Sequence, residues 1–216
     1  MTIAIPTYYK DTRTLDKLYL LFKSISAQKG VDFAVMVSDN SELDHIENLC
    51  ARYGFNHTYC DDKGTAANTN ALLASIKGKI KIMYQDDLFL TDTALKDFSD
   101  ALDNYKWVVS VSCFIDERGL PMWGIFNPHY NHCLNDKNEI GMPSVVGLWD
   151  TDVRMDTRLI NLLDTDFYNK LVKKYGLPFV IQKPIIGQRV WSGSVSASLS
   201  QLDKANDLRI LASDLS

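Results

Sequence analysis

Lys79-Ile80-Lys81-Ile82-Met83-Tyr84-Gln85-Asp86-Asp87 is the stretch that decides how this chain folds. Entered just after Gly78, the Ile- and Met-rich run reads as a short buried strand, and it stops abruptly on two adjacent carboxylates. In an open α/β sheet, ligands collect outside the carboxyl ends of the strands. Two acids at that place form an oxygen-rich corner suited to a hard divalent cation. Taken alone, Asp86 and Asp87 read as a cap for a turn, or for the helix expected from Thr91. The other strand ends choose between these readings.

Upstream, Thr2-Ile3-Ala4-Ile5 reads as a buried strand closed by Pro6-Thr7. Asp11 and Thr12 can cap a helix carrying Leu15, Leu18, Leu21, Phe22 and Ile25 at helical spacing, up to Gly30. Phe33 to Val37 is a second apolar strand and also ends on polar residues, Ser38-Asp39-Asn40-Ser41. A helix with Leu43, Ile46, Leu49 and Cys50 on one face stops at Gly54, and His57 to Cys60 is a third strand. Lys63 to Asn70 reads as a loop of small polar residues leading into a helix over Ala71 to Ile76. The β-α-β-α-β-α-β order predicts a mostly parallel sheet with right-handed crossovers, so Asp39 and the Asp86-Asp87 pair emerge at the same edge.

Downstream, a helix is expected from Thr91 to about Tyr105, then a strand from Trp107 to Phe114. Asp116-Glu117-Arg118-Gly119 signals a turn, with Met122 to Phe126 returning as a hairpin partner. Asn127 to Pro143 reads as a long loop of the kind that forms lids or binding segments. A strand over Val145 to Asp150, a helix through Leu163 to Tyr175 and a strand over Pro178 to Ile181 follow. A polar, Ser-rich stretch then leads to a C-terminal helix from Leu199 to Leu211.

The 216 residues suit a single α/β domain, and 46% apolar residues supply a sizeable core. A net charge of −4 gives no long-range attraction to nucleic acid or anionic membrane. Cys50, Cys60, Cys113 and Cys133 are scattered without a CxxC pair, which reads as free thiols in a reducing compartment. No signal-peptide core is read, and no run approaches the roughly 20 apolar residues of a membrane span, so a cytoplasmic location is expected.

Six segments in order resemble the family-2 glycosyltransferases of the GT-A fold. Ile3 to Tyr9 is similar to the family's "IPTYN" strand, and Val35 to Ser41 sits where it has "VVDDGS". Gly64 to Asn68 resembles "GxxxARN", and Ile82 to Asp87 the "DxD" strand end. Gly147-Leu148-Trp149-Asp150 is similar to "GGFDE", and Leu163 through Gly176 to "EDxxLxxRLxxxG". The resemblance implies an α/β GT-A domain with a mostly parallel central sheet flanked by helices. Residues 1–90 would be its nucleotide-sugar-binding half, 91–198 the acceptor-side half, and 199–216 a C-terminal helix and tail.

The resemblance also implies roles. Asp87 would be the metal ligand, for Mn²⁺ or Mg²⁺, with Asp86 against the ribose. Asp39 would accept from the nucleobase, and Pro6, Thr7 and Tyr8 would line the base and ribose pocket. Gly64 to Asn68 would support the nucleotide at a helix start. Asp164 would be the catalytic base, with Asp166 as its understudy, and transfer would invert the anomeric carbon. Four positions depart from the family: Gln85 replaces the first acid of "DxD", Ala67 the Arg of "GxxxARN", Asn40 the second Asp of "DDGS", and Leu163 the Glu of "ED". Beyond the motifs, Gln188, Arg189, Trp191, Ser192 and Ser194 are candidates to complete the site, with Arg189 suited to diphosphate charge.

His129 and His132 read as solvated loop residues, and Lys170, Lys173 and Lys174 as a solvated helix face. Met122, Trp123 and Trp149 fit sugar stacking and apolar filling equally. The expected activity is metal-dependent inverting transfer from a UDP- or other NDP-sugar to an acceptor hydroxyl, that of a glycan or glycolipid precursor. The alternatives are transfer to a modified DNA base, which the acidic charge disfavours, a degenerate domain that binds without turnover, and nucleotidyl transfer. The last would want a basic Gly-rich first loop, unlike Pro6-Thr7-Tyr8-Tyr9.

Overall fold

A computed structural model describes residues 1–129, 138–192 and 200–214. The strands are β1 (Thr2–Thr7), β2 (Ala34–Asp39), β3 (Asn56–Tyr59), β4 (Lys79–Ile82), β5 (Leu88–Phe89), β6 (Trp107–Ile115), β7 (Pro121–Phe126), β8 (Val146–Trp149) and β9 (Phe179–Arg189). The helices are α1 (Thr12–Ser26), α2 (His45–Tyr53), α3 (Thr65–Ser75), α4 (Ala94–Ala101), α5 (Leu163–Tyr175) and α6 (Gln201–Asp214). Among the described residues these strands form one sheet in the order β3-β2-β1-β4-β8-β6-β9-β5, with β7 beside β6.

The first half follows the expected pattern. β1 pairs in parallel with β2 and β4, and β2 with β3. Central parallel strands are covered on both faces, which explains the unbroken apolar run of β1. α1 starts where Asp11 Oδ1 accepts from the Thr14 N–H (3.2 Å), and it buries Leu18, Leu21, Phe22 and Ile25. α2 stops at Gly54, whose φ of +67° suits a residue without a Cβ. The second half is mixed: β8 runs antiparallel to β4 and β6, β7 to β6 and β5 to β9, while β6 and β9 are parallel.

Several elements differ from the sequence reading. The expected loop over Lys63 to Asn70 is largely the start of α3, which begins at Thr65 behind Gly64 (φ +104°). Its small residues let it lie against β1 and β2, and Asn68 and Thr69 are buried there. β9 does not end at Ile181 but runs to Arg189, because the long β6 offers a parallel partner as far as Ile115. Pro184 is accommodated at a register shift in that pairing. α4 is shorter than expected, and Leu43 is exposed ahead of α2 rather than on its buried face. Among the described residues, no helix is long and apolar enough to cross a membrane.

Candidate functional site

β1 and β2 end side by side, with Pro6 opposite Ser38 and Thr7 opposite Asp39. Asn68 reaches from α3 to join them: its Nδ2 donates to Thr7 O (2.9 Å) and Ser38 O (3.0 Å). Hydrogen bonding of this kind is what allows a polar side chain to be buried. Asp39 Oδ1 accepts from the Ser41 backbone N–H (2.8 Å) and from the Ser41 hydroxyl, and Oδ2 lies 3.5 Å from His57 Nε2. Both oxygens of the predicted base-reading acid thus have protein partners. Beside these strand ends opens a cleft of ≈ 350 Å³ lined by Tyr8, Tyr9, Lys10, Asn40, Ser41, Glu42, Leu43 and Lys63. Tyr8 is 54% exposed there, and its backbone N–H donates to Gln85 Oε1 (2.9 Å), so the amide replacing an acid ties β1 to the turn after β4.

The Asp86-Asp87 corner is held from several directions. Asp86 Oδ2 accepts from the Trp191 indole (3.0 Å), while Oδ1 is buried without a partner among the described residues. Asp87 Oδ1 accepts from the Arg189 backbone N–H (3.0 Å), a contact made where β5 turns back along β9, and Oδ2 has no partner among the described residues. Ser144 Oγ accepts from the Tyr84 N–H (2.8 Å), and its hydroxyl favours the charged form of the Asp87 carboxylate. Burial pushes the Asp87 carboxyl up to about 6 despite these donors, with Asp86 adding to the rise. Asp86 is also raised by burial, partly offset by the indole bond.

Arg189, expected to meet diphosphate, lies at this corner but spends Nε on Asp86 O (2.6 Å) and Nη1 on Asp116 O (2.7 Å) and Glu117 O (2.6 Å). Its Nη2 is buried without a partner among the described residues. Gln188 Nε2 donates to Ser112 Oγ, which orients it away from a ligand role.

Asp164 sits in the first turn of α5 and is 8% exposed. Its Oδ1 lacks a partner among the described residues, and burial together with the charge of Asp87 pushes its carboxyl up to about 7. The charge of the strand-end acid Asp87 therefore reaches the helix-end acid Asp164. Tyr84 and Tyr168 hydroxyls feel both charges and are raised well above the usual phenol range, chiefly by burial. Asp166, the understudy, is already paired with Lys170 (2.6 Å). Lys174 pairs with Asp152, so this helix face carries ion pairs as well as solvated charge.

Two supporting groups, Lys81 and Ser144, escaped sequence reasoning, whereas Trp191 was among its candidates. Lys81 is fully buried in β4, and its ammonium donates to Ile82 O (2.7 Å), Ser144 O and Val146 O (3.4 Å) with the Phe98 ring 4.4 Å away. A lysine inside an apolar strand was the available signal. Trp191 is packed under Lys17, whose Nζ lies 3.4 Å from the ring centre, and near Arg13. Ser144 had no local signal at all. His132, Cys133 and Ser194 lie outside the described residues.

No family model matches the chain, and no curated protein matches it. Among solved structures, TarS 1–349 of S. aureus in complex with UDP-GlcNAc superposes with a TM-score of 0.75 at 17% identity, over 99% of this chain and 66% of that one. The mannosyltransferase PcManGT of Pyrobaculum calidifontis, in complex with GDP-Man and Mn²⁺, gives 0.59 at 14% identity, over 90% of this chain and 58% of that one. A 4-diphosphocytidyl-2C-methyl-D-erythritolsynthase of Anaerococcus prevotii gives 0.54 at 10% identity, over 97% and 95%. The chain thus spans about two thirds or less of these TarS and PcManGT chains. The fold is GT-A, the α/β fold of nucleotide-sugar transferases.

Proposed function

We propose that this chain is a metal-dependent, inverting glycosyltransferase that moves a sugar from a nucleoside-diphosphate donor to an acceptor hydroxyl. What carries the reading is one observation within a GT-A fold. Asp87 and Asp164 are buried carboxylates, the charge of Asp87 raises the carboxyl of Asp164, and each keeps an oxygen without a partner among the described residues. Leaving such atoms unpaired is costly unless they serve a ligand. TarS in complex with UDP-GlcNAc and PcManGT in complex with GDP-Man support a nucleotide-sugar donor.

Asp87 Oδ2 and Asp86 Oδ1 are hard oxygen donors and fit Mn²⁺ or Mg²⁺. Among the described residues no group of three His, Cys, Asp or Glu could hold a metal, so Asp87 would be aided by substrate oxygens and water. A cation held there supplies Lewis-acid neutralisation of the charge on the departing diphosphate. Tyr8 lines the cleft and takes the base and ribose side, with Pro6 and Thr7 behind it in β1; Asp39, fixed by Ser41, reads the base. Gly64 and Asn68 shape the helix start beneath the nucleotide, and Arg189 sets Asp87 through its backbone N–H. Asp164 takes the proton of the acceptor hydroxyl, whose oxygen forms the new bond to the anomeric carbon. The bond from that carbon to the diphosphate breaks, and the nucleoside diphosphate leaves with the bonding pair. The acceptor we assign is a glycan or glycolipid precursor, since a net charge of −4 repels nucleic acid.

The test screens nucleotide sugars with Mn²⁺ or Mg²⁺ for thermal stabilisation, donor hydrolysis and transfer. Asp87→Ala should lose metal-dependent nucleotide binding. Asp164→Asn should keep binding and lose about 10²–10⁴-fold in transfer, the usual contribution of a positioned base. Variants indistinguishable from wild type would sink the site assignment. Asp39, both of whose oxygens have protein partners, and Arg189, whose Nε and Nη1 are spent on backbone carbonyls, favour, as a second reading, a domain that binds donor without turnover. Donor binding with no transfer or hydrolysis in the wild type would select it.

A further inference from the structure

α5 carries Asp164 in its first turn, yet it has no local N-terminal cap: Leu162 stands at the cap position and its side chain cannot accept a hydrogen bond. The first N–H groups of a helix need acceptors. Here a distant residue instead holds the three amides that lead into the helix. Asp207 of α6 is 1% exposed, and its carboxylate accepts from the backbone N–H groups of Ile160 (3.2 Å to each oxygen), Asn161 (2.6 Å) and Leu162 (2.8 Å). An ionised acceptor makes these charge-assisted bonds, and its negative charge also opposes the positive end of the α5 dipole.

The chain leading into α5 is held at a second point as well. Asn70 of α3 clasps Met155 through both its amide groups, donating to Met155 O (2.9 Å) and accepting from Met155 N (2.9 Å). Arg154 donates to Leu73 O on the same helix (3.2 Å). The run from Met155 to Leu162 is thus pinned to α3 at one end and to α6 at the other. Among the described residues, only Asp207 accepts from the amides immediately before α5.

We propose that Asp207 is a positioning residue for Asp164: the C-terminal helix α6 fixes the entry into α5 and so sets where that carboxylate lies. The proposal rests on the reading of Asp164 as the base, and it is the Asp207 carboxylate, rather than α6 as a whole, that then serves the site. Asp207 touches no reacting atom; it acts only through the backbone of residues 160–162.

Three variants test this: Asp207→Ala, Asp207→Asn, whose amide oxygen can still accept, and Ile210→Ala, which trims a partly buried side chain of α6 and leaves the carboxylate and its three bonds in place. The first readout is amide hydrogen exchange at Ile160, Asn161 and Leu162. Asp207→Ala should lose protection there by about tenfold or more, with β1 and β2 unchanged. The second is steady-state transfer well below the unfolding temperature. Asp207→Ala should lower kcat at least about tenfold with donor KM within about twofold, while Asp207→Asn recovers most of that loss and Ile210→Ala stays near wild type. Unchanged exchange at residues 160–162 would overturn the proposal. So would wild-type kcat in Asp207→Ala, or an equal loss of kcat in Ile210→Ala. A wild-type protein that transfers no sugar would instead refute the reading of Asp164, and the exchange measurement would then decide the positional claim by itself.

Discussion

Replacing Asp164 with Asn should stabilise the metal-free protein at alkaline pH while removing its transfer activity. Burial and the charge of Asp87 raise this carboxyl from 3.8 to about 7, so between those values the folded chain holds a proton that the unfolded chain has released. The corresponding stability is fully present below 3.8 and is lost as pH rises through about 7. That rise in the carboxyl amounts to about 4 kcal/mol by pH 8. Asn has no charge to desolvate, but it leaves a polar group without a partner, which returns about 1–3 kcal/mol of the gain. A net stabilisation of about 2 kcal/mol, or roughly 4–8 °C in Tm for a chain of this size, is expected at pH 8. At pH 5 the unfolded carboxyl is already ionised and only about 1.6 kcal/mol of that loss has accumulated, which the cost of the unpaired amide offsets, so the two proteins should melt close together. Calorimetry of both in EDTA at pH 5 and pH 8 measures the effect. An Asn variant that melts below wild type at pH 8, or a gap of equal size at both pH values, would refute the electrostatic argument. The same ionisation should appear in catalysis: transfer rises with pH as Asp164 loses its proton. Metal at Asp87 offsets the charge that raises Asp164 and should move that midpoint down.

Two further substitutions probe the supports of the corner. Trp191→Phe removes the indole N–H from Asp86 Oδ2 and leaves a buried carboxylate oxygen without a donor. A loss of about 1–3 kcal/mol at pH 8 is expected in urea denaturation, and an unchanged midpoint would mean that water replaces the indole. Gly147→Ala would place a methyl group 2.9 Å from Phe98 Cδ1 and 3.0 Å from Val108 Cγ2, both in the core. Overpacking of this kind should cost about 1–3 kcal/mol by denaturant titration, and wild-type stability would show that β8 can shift away from Phe98.

The first four strands and the first two helices were legible because their signals are local. An unbroken apolar run in Ile3-Ala4-Ile5, helical spacing of Leu18, Leu21, Phe22 and Ile25, and the stop at Gly54 each depend on near neighbours. The N-terminal part of α3 was misread because Gly64 through Asn70 has the composition of a loop. Its buried Asn68 and Thr69 make sense only against β1 and β2. β9 was cut short because Gln182 to Pro184 looks unlike a strand, whereas a nine-residue β6 beside it offers backbone partners along its whole length.

At the site, the sequence by itself determined which acids stand at strand and helix ends: Asp39, Asp86, Asp87 and Asp164. Strand ends follow from periodicity, and the topology of an α/β sheet brings those ends to one edge. Only the tertiary structure decided which of their oxygens remain available. Ser41 occupies Asp39, Trp191 takes one oxygen of Asp86, the Arg189 backbone takes one of Asp87, and Asp207 reaches across from α6 to hold the turn beneath Asp164. Apart from Ser41, these partners lie far along the chain from the groups they satisfy. A hydrogen bond depends on distance and direction in space, and no periodicity in the sequence records those.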